Sequence, residues 1–129
     1  MSYNWNTRTE LLLGTDRMKQ LAHSHVLVVG LGGVGAYAAE QICRAGIGHM
    51  TIVDADTVNE SNINRQLPAL HSTLGMPKVE VVARRLLDIN PRLKLNVLNE
   101  FLRDERTEEV LSATRYDLSS TRSIPSVRK

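Results

Sequence analysis

The stretch Val28-Val29-Gly30-Leu31-Gly32-Gly33-Val34-Gly35 constrains this 129-residue chain more than any other. It closes the run HVLVVG over residues 25–30. Four consecutive apolar residues there, three of them β-branched, suit a strand buried on both faces of a parallel sheet. Behind it, Val34, Ala38, Ile42 and Ala45 recur at helical steps, predicting a helix that ends near Gly46 and Gly48. A glycine-rich turn between strand and helix is the setting of an anion-binding loop. Gly30 permits the tight turn, Gly32 lets backbone approach a phosphate, and Gly35 lets the helix pack on the strand. The helix N-terminus adds free N–H groups and a partial positive charge. Asp54 ends a second predicted strand, MTIVD over residues 50–54, where it is placed to bond ribose hydroxyls. These features point to an adenine nucleotide. They leave both a dinucleotide cofactor and ATP open.

The remaining chain alternates in the same way. Thr15 is placed to cap a short helix over residues 16–22, with Asp16 in its first turn. Residues 55–75 are polar and predict short turns at most. Pro77 opens a helix whose apolar face is Val79, Val82, Ala83 and Leu86, and Asn90-Pro91 stops it. Leu93, Leu95 and Val97 alternate with Lys94 and Asn96 in a third strand, and Asp104 is placed to cap a helix over 105–113. The order β-α-β-α-β-α predicts an α/β fold, a Rossmann-like, doubly wound and mostly parallel sheet. A fourth strand is due after Tyr116-Asp117. The segment LSSTRSIPSVRK that follows is Ser/Arg-rich and contains Pro125. The expectation is therefore a nucleotide-binding domain over 1–117, the N-terminal half of such a sheet only, with 118–129 as a disordered or frameshifted tail.

Composition narrows the function classes. The chain is 42% hydrophobic and 23% charged, and no apolar run approaches the ~20 residues of a membrane helix. The start MSYNWNTRTE lacks a basic-then-apolar signal, and one cysteine cannot form an internal disulfide. Together these predict a cytoplasmic protein with no membrane partner. The basic pI of 8.9 is misleading. Arg122, Arg128 and Lys129 lie in the last twelve residues, which hold no acid, so residues 1–117 sum to −1 of the chain's +2. With five aromatics there is no obvious base-stacking platform, and a direct nucleic-acid footprint is weak. Cys43 reads as a small buried hydrophobe rather than a nucleophile, and Met18, Met50 and Met76 as packing residues. His23, His25, His49 and His71 show no ligand spacing, so no protein-bound metal site is expected.

The loop after Asp54, ADTVNESNINRQ, separates the two nucleotide readings. A hydride-transfer enzyme has no need of a polar run bearing Arg65, whereas a triphosphate does. Arg65 offers a bidentate fork, and Ser61 and Asn62 offer neutral hydrogen bonds. Lys78 falls in the first turn of a helix, where the macrodipole favours acids; a residue placed against local preference suggests a task such as meeting a phosphate. The bland alternatives are that Lys78 is a solvated surface cation and that Arg65 pairs with Asp54, Asp56 or Glu60.

GxGGVG, then IVDADTVNESNINRQ, then GMPKVEVVARRLLDINP resemble the ThiF-type, E1-like adenylating superfamily, which includes ubiquitin-activating enzymes and activators of bacterial sulfur-carrier proteins. The resemblance runs from about Arg8 to Asp117. NINRQLPALHSTLG is most similar to tRNA threonylcarbamoyladenosine dehydratases; the sulfur-carrier activators tend to show Leu-Gln in place of Ile63-Asn64. The resemblance implies ATP and Mg²⁺, the ion held through the phosphates. It implies that Gly30, Gly32, Gly33 and Gly35 surround the phosphates and that Asp54 holds the ribose. Asp56, Ser61, Asn62, Arg65, Gln66 and Lys78 would line the rest of the site, with Arg65, Lys78 and Arg8 catalytic. Arg8 matches a family arginine that reaches into the partner's site of a homodimer, and tRNA is the implied substrate. In the implied chemistry a carboxylate attacks the α-phosphorus, pyrophosphate leaves and an acyl-adenylate forms; in the dehydratases a nitrogen of the same nucleoside then closes a ring. The family's aspartate after the fourth strand has no counterpart following Asp117, and the expectation is a chain truncated or frameshifted there. The competing expectations are a sulfur-carrier or ubiquitin-like protein adenylyltransferase, a nicotinamide-binding oxidoreductase domain, and an inactive nucleotide-binding fragment.

Overall fold

The structure is a computed structural model and describes residues 5, 7–112 and 118–121. Among the described residues four strands form one sheet in the order β3-β2-β1-β4: β1 (His25–Val29), β2 (His49–Val53), β3 (Lys94–Leu98) and β4 (Leu118–Thr121). All three ladders are parallel, pairing His25 with His49, His49 with Lys94 and Val26 with Leu118 at their starts. The helices are α1 (Thr7–Leu13), α2 (Thr15–Ala22), α3 (Gly33–Ala45), α4 (Lys78–Ile89) and α5 (Asp104–Ser112). This is the Rossmann-like, parallel α/β sheet the sequence predicted.

Every residue of β1 is buried, as a run of β-branched residues between two helical layers requires. Its side chains alternate between two cores. Val26 and Val28 join Met50 and Ile52 of β2, Ala36, Ala39 and Cys43 of α3, and Val79, Val82 and Leu86 of α4. Leu27 and Val29 face the other way with Val53 and with Val110 of α5. On the outer side of α3, Glu40 receives Arg44 at 3.1 Å and also Arg85 of α4; the Arg85 guanidinium, followed by Arg44, holds the Glu40 carboxyl below the usual carboxylate range.

Five local expectations are corrected. Asp104 is the first residue of α5 and not its cap. Gly14, at φ 89° and ψ 159°, caps α2, so Thr15 is its first helical residue rather than its cap. The buried stripe of α3 is Gly35, Ala36, Ala39 and Cys43, while Val34 is exposed. Crossing at the glycine loop presses the small residues against β1, and Val34 is turned outward. Val97 is exposed, because β3 is an edge strand. Leu118–Thr121 is a strand, where the sequence predicted a disordered tail. Parallel pairing rests on backbone hydrogen bonds, and an edge strand beside the apolar β1 does not need to be apolar itself. Residues 122–129, the rest of that predicted tail, lie outside the described residues.

Candidate nucleotide site

The chain runs β1, β2, β3 in one direction across the sheet and then crosses back to place β4 on the other side of β1. The direction of winding reverses between β1 and β4, which puts the loop after β1 at the switch point where open α/β sheets bind ligands. Two glycines of that loop adopt conformations other residues avoid: Gly30 at φ 90° and Gly33 at φ 45°. A Cβ on Gly35 would lie 1.8 Å from the Gly30 carbonyl oxygen, so only glycine allows α3 this close to the turn.

Asp54 leaves β2 beside this loop, and its carboxylate clasps two backbone segments. Oδ2 accepts the Leu31 N–H at 2.6 Å, and Oδ1 accepts the Asp56 N–H at 2.7 Å. Gly30 is held to the same strand end, its N–H donating to the Val53 carbonyl at 2.8 Å. Each carboxylate oxygen retains acceptor capacity beyond these bonds.

Lys78 is brought in by a device invisible in the sequence. Asp56–Val58 lies antiparallel to Gly75–Lys78. The Val58 N–H donates to the Met76 carbonyl (2.9 Å), Gly75 N–H to the Val58 carbonyl (2.9 Å), and Lys78 N–H to the Asp56 carbonyl (3.0 Å). Lys78 therefore begins α4 directly after the Pro77 cap, and it is only 5% exposed. Among the described residues its ammonium has one ion pair, with the exposed Asp56 at 3.9 Å. The surface-cation alternative is thereby excluded. A buried lysine with one loose ion pair is costly to the fold alone and suited to an anionic ligand.

The 60–66 segment forms a 3-10 turn over Glu60–Asn62, continued by the Arg65 and Gln66 N–H groups, which donate to the Asn62 carbonyl. Asn62 is buried, and its Oδ1 accepts the Asn59 N–H at 3.0 Å, so its carbonyl oxygen serves the turn. Ser61 and Arg65 are exposed. Arg65 donates through one nitrogen to the Ser61 carbonyl and to Asn64 Oδ1, both at 3.0 Å, and has no ion pair with Asp54, Asp56 or Glu60 among the described residues. Gln66 lies against Gly32, which ties this turn to the glycine loop. Arg8 stands exposed on α1, with no ion pair among the described residues. The structure thus links Asp54, Asp56 and Lys78 in one chain of contacts and Gln66 to Gly32, with Leu31 tying Asp54 to the loop that carries Gly30, Gly32, Gly33 and Gly35. It does not join Arg8 to them.

Cys43 is buried with Sγ 3.5 Å from the Leu86 carbonyl, and burial pushes its thiol up to about 11, which fits packing and not nucleophilic attack. No cluster of three metal-ligating side chains occurs among the described residues, and no described helix is long and apolar enough to cross a membrane.

Comparison with known proteins places this geometry. Residues 3–118 match the ThiF family. The chain belongs to the ThiF family. It is 44% identical over 103 residues to the tRNA threonylcarbamoyladenosine dehydratase of Bacillus subtilis, covering 80% of this chain and 41% of that protein. It is 36% identical over 109 residues to the molybdopterin-synthase adenylyltransferase of Escherichia coli, covering 84% of this chain and 44% of that one. The E. coli tRNA N6-threonylcarbamoyladenosine dehydratase solved in complex with ATP superimposes with a TM-score of 0.87 at 38% identity, over 98% of this chain and 53% of that chain. The same enzyme in complex with AMP gives 0.85 at 37% identity, over 92% and 49%. The chain therefore spans about two-fifths of the length of its curated relatives and half of these solved chains.

Proposed function

We propose that the chain carries the ATP-binding part of an adenylate-forming enzyme that acts on the threonylcarbamoyl group of a tRNA adenosine. The observation that carries the reading is Lys78, a buried cation whose ion pair among the described residues is a loose one, at 3.9 Å to the exposed Asp56, on the strand end that bears the Asp54 clasp. The loop and Asp54 would suit a dinucleotide equally. Lys78 and the Arg65 turn suit a triphosphate, and the relatives solved with ATP and AMP support that choice.

In this reading the α3 N-terminus and the N–H groups of Gly32 and Gly33 receive phosphate oxygens. Asp54 takes the ribose hydroxyls with its spare acceptor capacity, and Lys78 and Arg65 offset the negative charge. Ser61 and Asn62 supply neutral contacts. The carboxylate of the substrate attacks the α-phosphorus. The new oxygen–phosphorus bond replaces the bond to the β-phosphate bridge, and pyrophosphate leaves. A nitrogen of the same nucleoside then attacks the activated carbonyl, the ring closes and AMP departs. No protein nucleophile is needed in the first step, so positioning and electrostatics supply the rate. Magnesium, carried by the triphosphate, would add charge neutralisation at the phosphates. Arg8 would act across a homodimer, and a tRNA substrate goes with the cytoplasmic location expected from composition. The molybdopterin-synthase adenylyltransferase relatives share the adenylation step, and they support the same ATP site with a different acyl substrate.

Competition against a fluorescent adenine nucleotide tests the reading. ATP should displace the probe at least tenfold better than NAD, and Lys78→Ala and Arg65→Ala should each lose at least tenfold in ATP affinity. Equal displacement by NAD, or less than tenfold loss in both variants, would overturn it.

A further inference from the structure

Gln66 carries a side chain that the fold leaves unfinished. Its own N–H is satisfied by the Asn62 carbonyl at 2.9 Å. Its carboxamide lies over Gly32, where a Cβ would stand 2.9 Å from Nε2, 3.2 Å from Cδ and 3.3 Å from Oε1. The room left by the missing side chain of Gly32 is thus filled by Gln66. Oε1 is buried and accepts no hydrogen bond among the described residues. Leaving such an acceptor unpaired costs more than a typical hydrogen bond contributes, whereas an apolar side chain of the same shape fills the space without that cost. Packing alone does not explain a glutamine here.

We propose that Gln66 positions the metal–triphosphate complex, its carboxamide oxygen accepting a hydrogen bond from an O–H donor that arrives with the phosphates. The inference rests on the ATP reading above. Ionised phosphate oxygens accept and do not donate. The O–H donors of an ATP–magnesium complex are the ribose hydroxyls and the waters that magnesium retains. The ribose belongs to Asp54, on the Leu31 side of the loop. At Gly32, in the phosphate part of the loop, the donor is metal-bound water. Gln66 therefore favours ATP–magnesium over AMP.

Calorimetric titration of the chain and its Gln66→Met variant with ATP plus Mg²⁺, ATP plus chelator, and AMP tests this, together with thermal unfolding in the absence of nucleotide. The expected result is an unfolding midpoint equal to or above that of the unaltered chain, since an orphan buried acceptor is removed. ATP–magnesium should bind the variant three- to tenfold more weakly, the worth of one hydrogen bond, with AMP and metal-free ATP within twofold of the unaltered chain. Equal weakening for AMP would make the nucleoside, through its ribose hydroxyls or its adenine amino group, the donor and overturn the assignment to metal-bound water. ATP–magnesium affinity within twofold, a midpoint lower by several degrees, or a variant that does not fold would overturn the role of Gln66 while leaving the ATP reading intact. Failure of the unaltered chain to bind ATP–magnesium would overturn both.

Discussion

Two residues hold the loop in shape before any ligand arrives. A methyl group on Gly35 would meet the Gly30 carbonyl oxygen at 1.8 Å, a backbone contact that no rotamer can relieve. Gly35→Ala should therefore cost about 3 kcal/mol in urea unfolding, or abolish folding. A loss under about 1 kcal/mol would mean that α3 slides away cheaply. Asp54 accepts from both Leu31 and Asp56, and asparagine has only one oxygen to offer them. Asp54→Asn should leave one backbone N–H facing an amide N–H₂ group and lose about 1–3 kcal/mol without nucleotide. Stability within about 0.5 kcal/mol of the unaltered chain would show the clasp to be dispensable. The glycines and Asp54 were legible in the sequence because their spacing follows from the geometry of a strand–turn–helix crossing. The clasp was not, since it joins a side chain to a backbone N–H 23 positions earlier. Lys78 was half legible: its conflict with the macrodipole marked it, but its burial depends on the ladder between 56–58 and 75–78.

At the level of elements, the strand starts form a polar cluster at the end of the sheet opposite the loop. The rings of His25 and His49 stack at 3.6 Å and 8°. Asn96 Nδ2 donates to His49 Nε2 at 3.1 Å and to Thr51 Oγ1 at 3.2 Å, and the Thr51 hydroxyl and His25 Nε2 are hydrogen-bonded at 2.9 Å. The bond from Asn96 requires the His49 imidazole to be unprotonated at Nε2, and two stacked imidazolium rings would repel. Burial, followed by the charge of Lys94, pushes His49 below its ordinary value of 6.5. The unfolded chain then takes up a proton near pH 6.5 that the folded chain refuses. The stabilising contribution is complete above that pH and declines as pH falls toward the folded value. The unfolding midpoint should drop between pH 7 and pH 5, and His49→Gln should flatten that slope. An unchanged slope in the variant would assign the acid sensitivity elsewhere. The existence and type of the central elements were legible because β1 and α4 carry unmixed patterns. The buried face of α3 was misread because side-chain spacing alone selects Val34, and the crossing at Gly35 selects Ala36 and Ala39 instead.

For the whole molecule, the decisive element is the one the sequence concealed. Strand signals lie in apolar side chains, and LSST has few; what makes it a strand is the row of backbone groups that β1 presents. Without β4, β1 becomes an edge strand. It would then be a strand with four consecutive apolar residues and unpaired N–H and C=O groups, the kind of edge that templates association. The switch point would vanish with it, because the sheet would wind in one direction only. A chain ending at Asp117 should therefore unfold less cooperatively than the 129-residue chain, form larger assemblies than that chain does on size-exclusion chromatography, and bind ATP–magnesium at least tenfold more weakly. The loss in binding follows from position alone, since every residue assigned to the nucleotide is retained. If the shortened chain keeps the oligomeric state of the 129-residue chain, with the same midpoint and the same affinity, β4 contributes nothing to the site. The loop, Asp54 and Lys78 would then suffice on three strands.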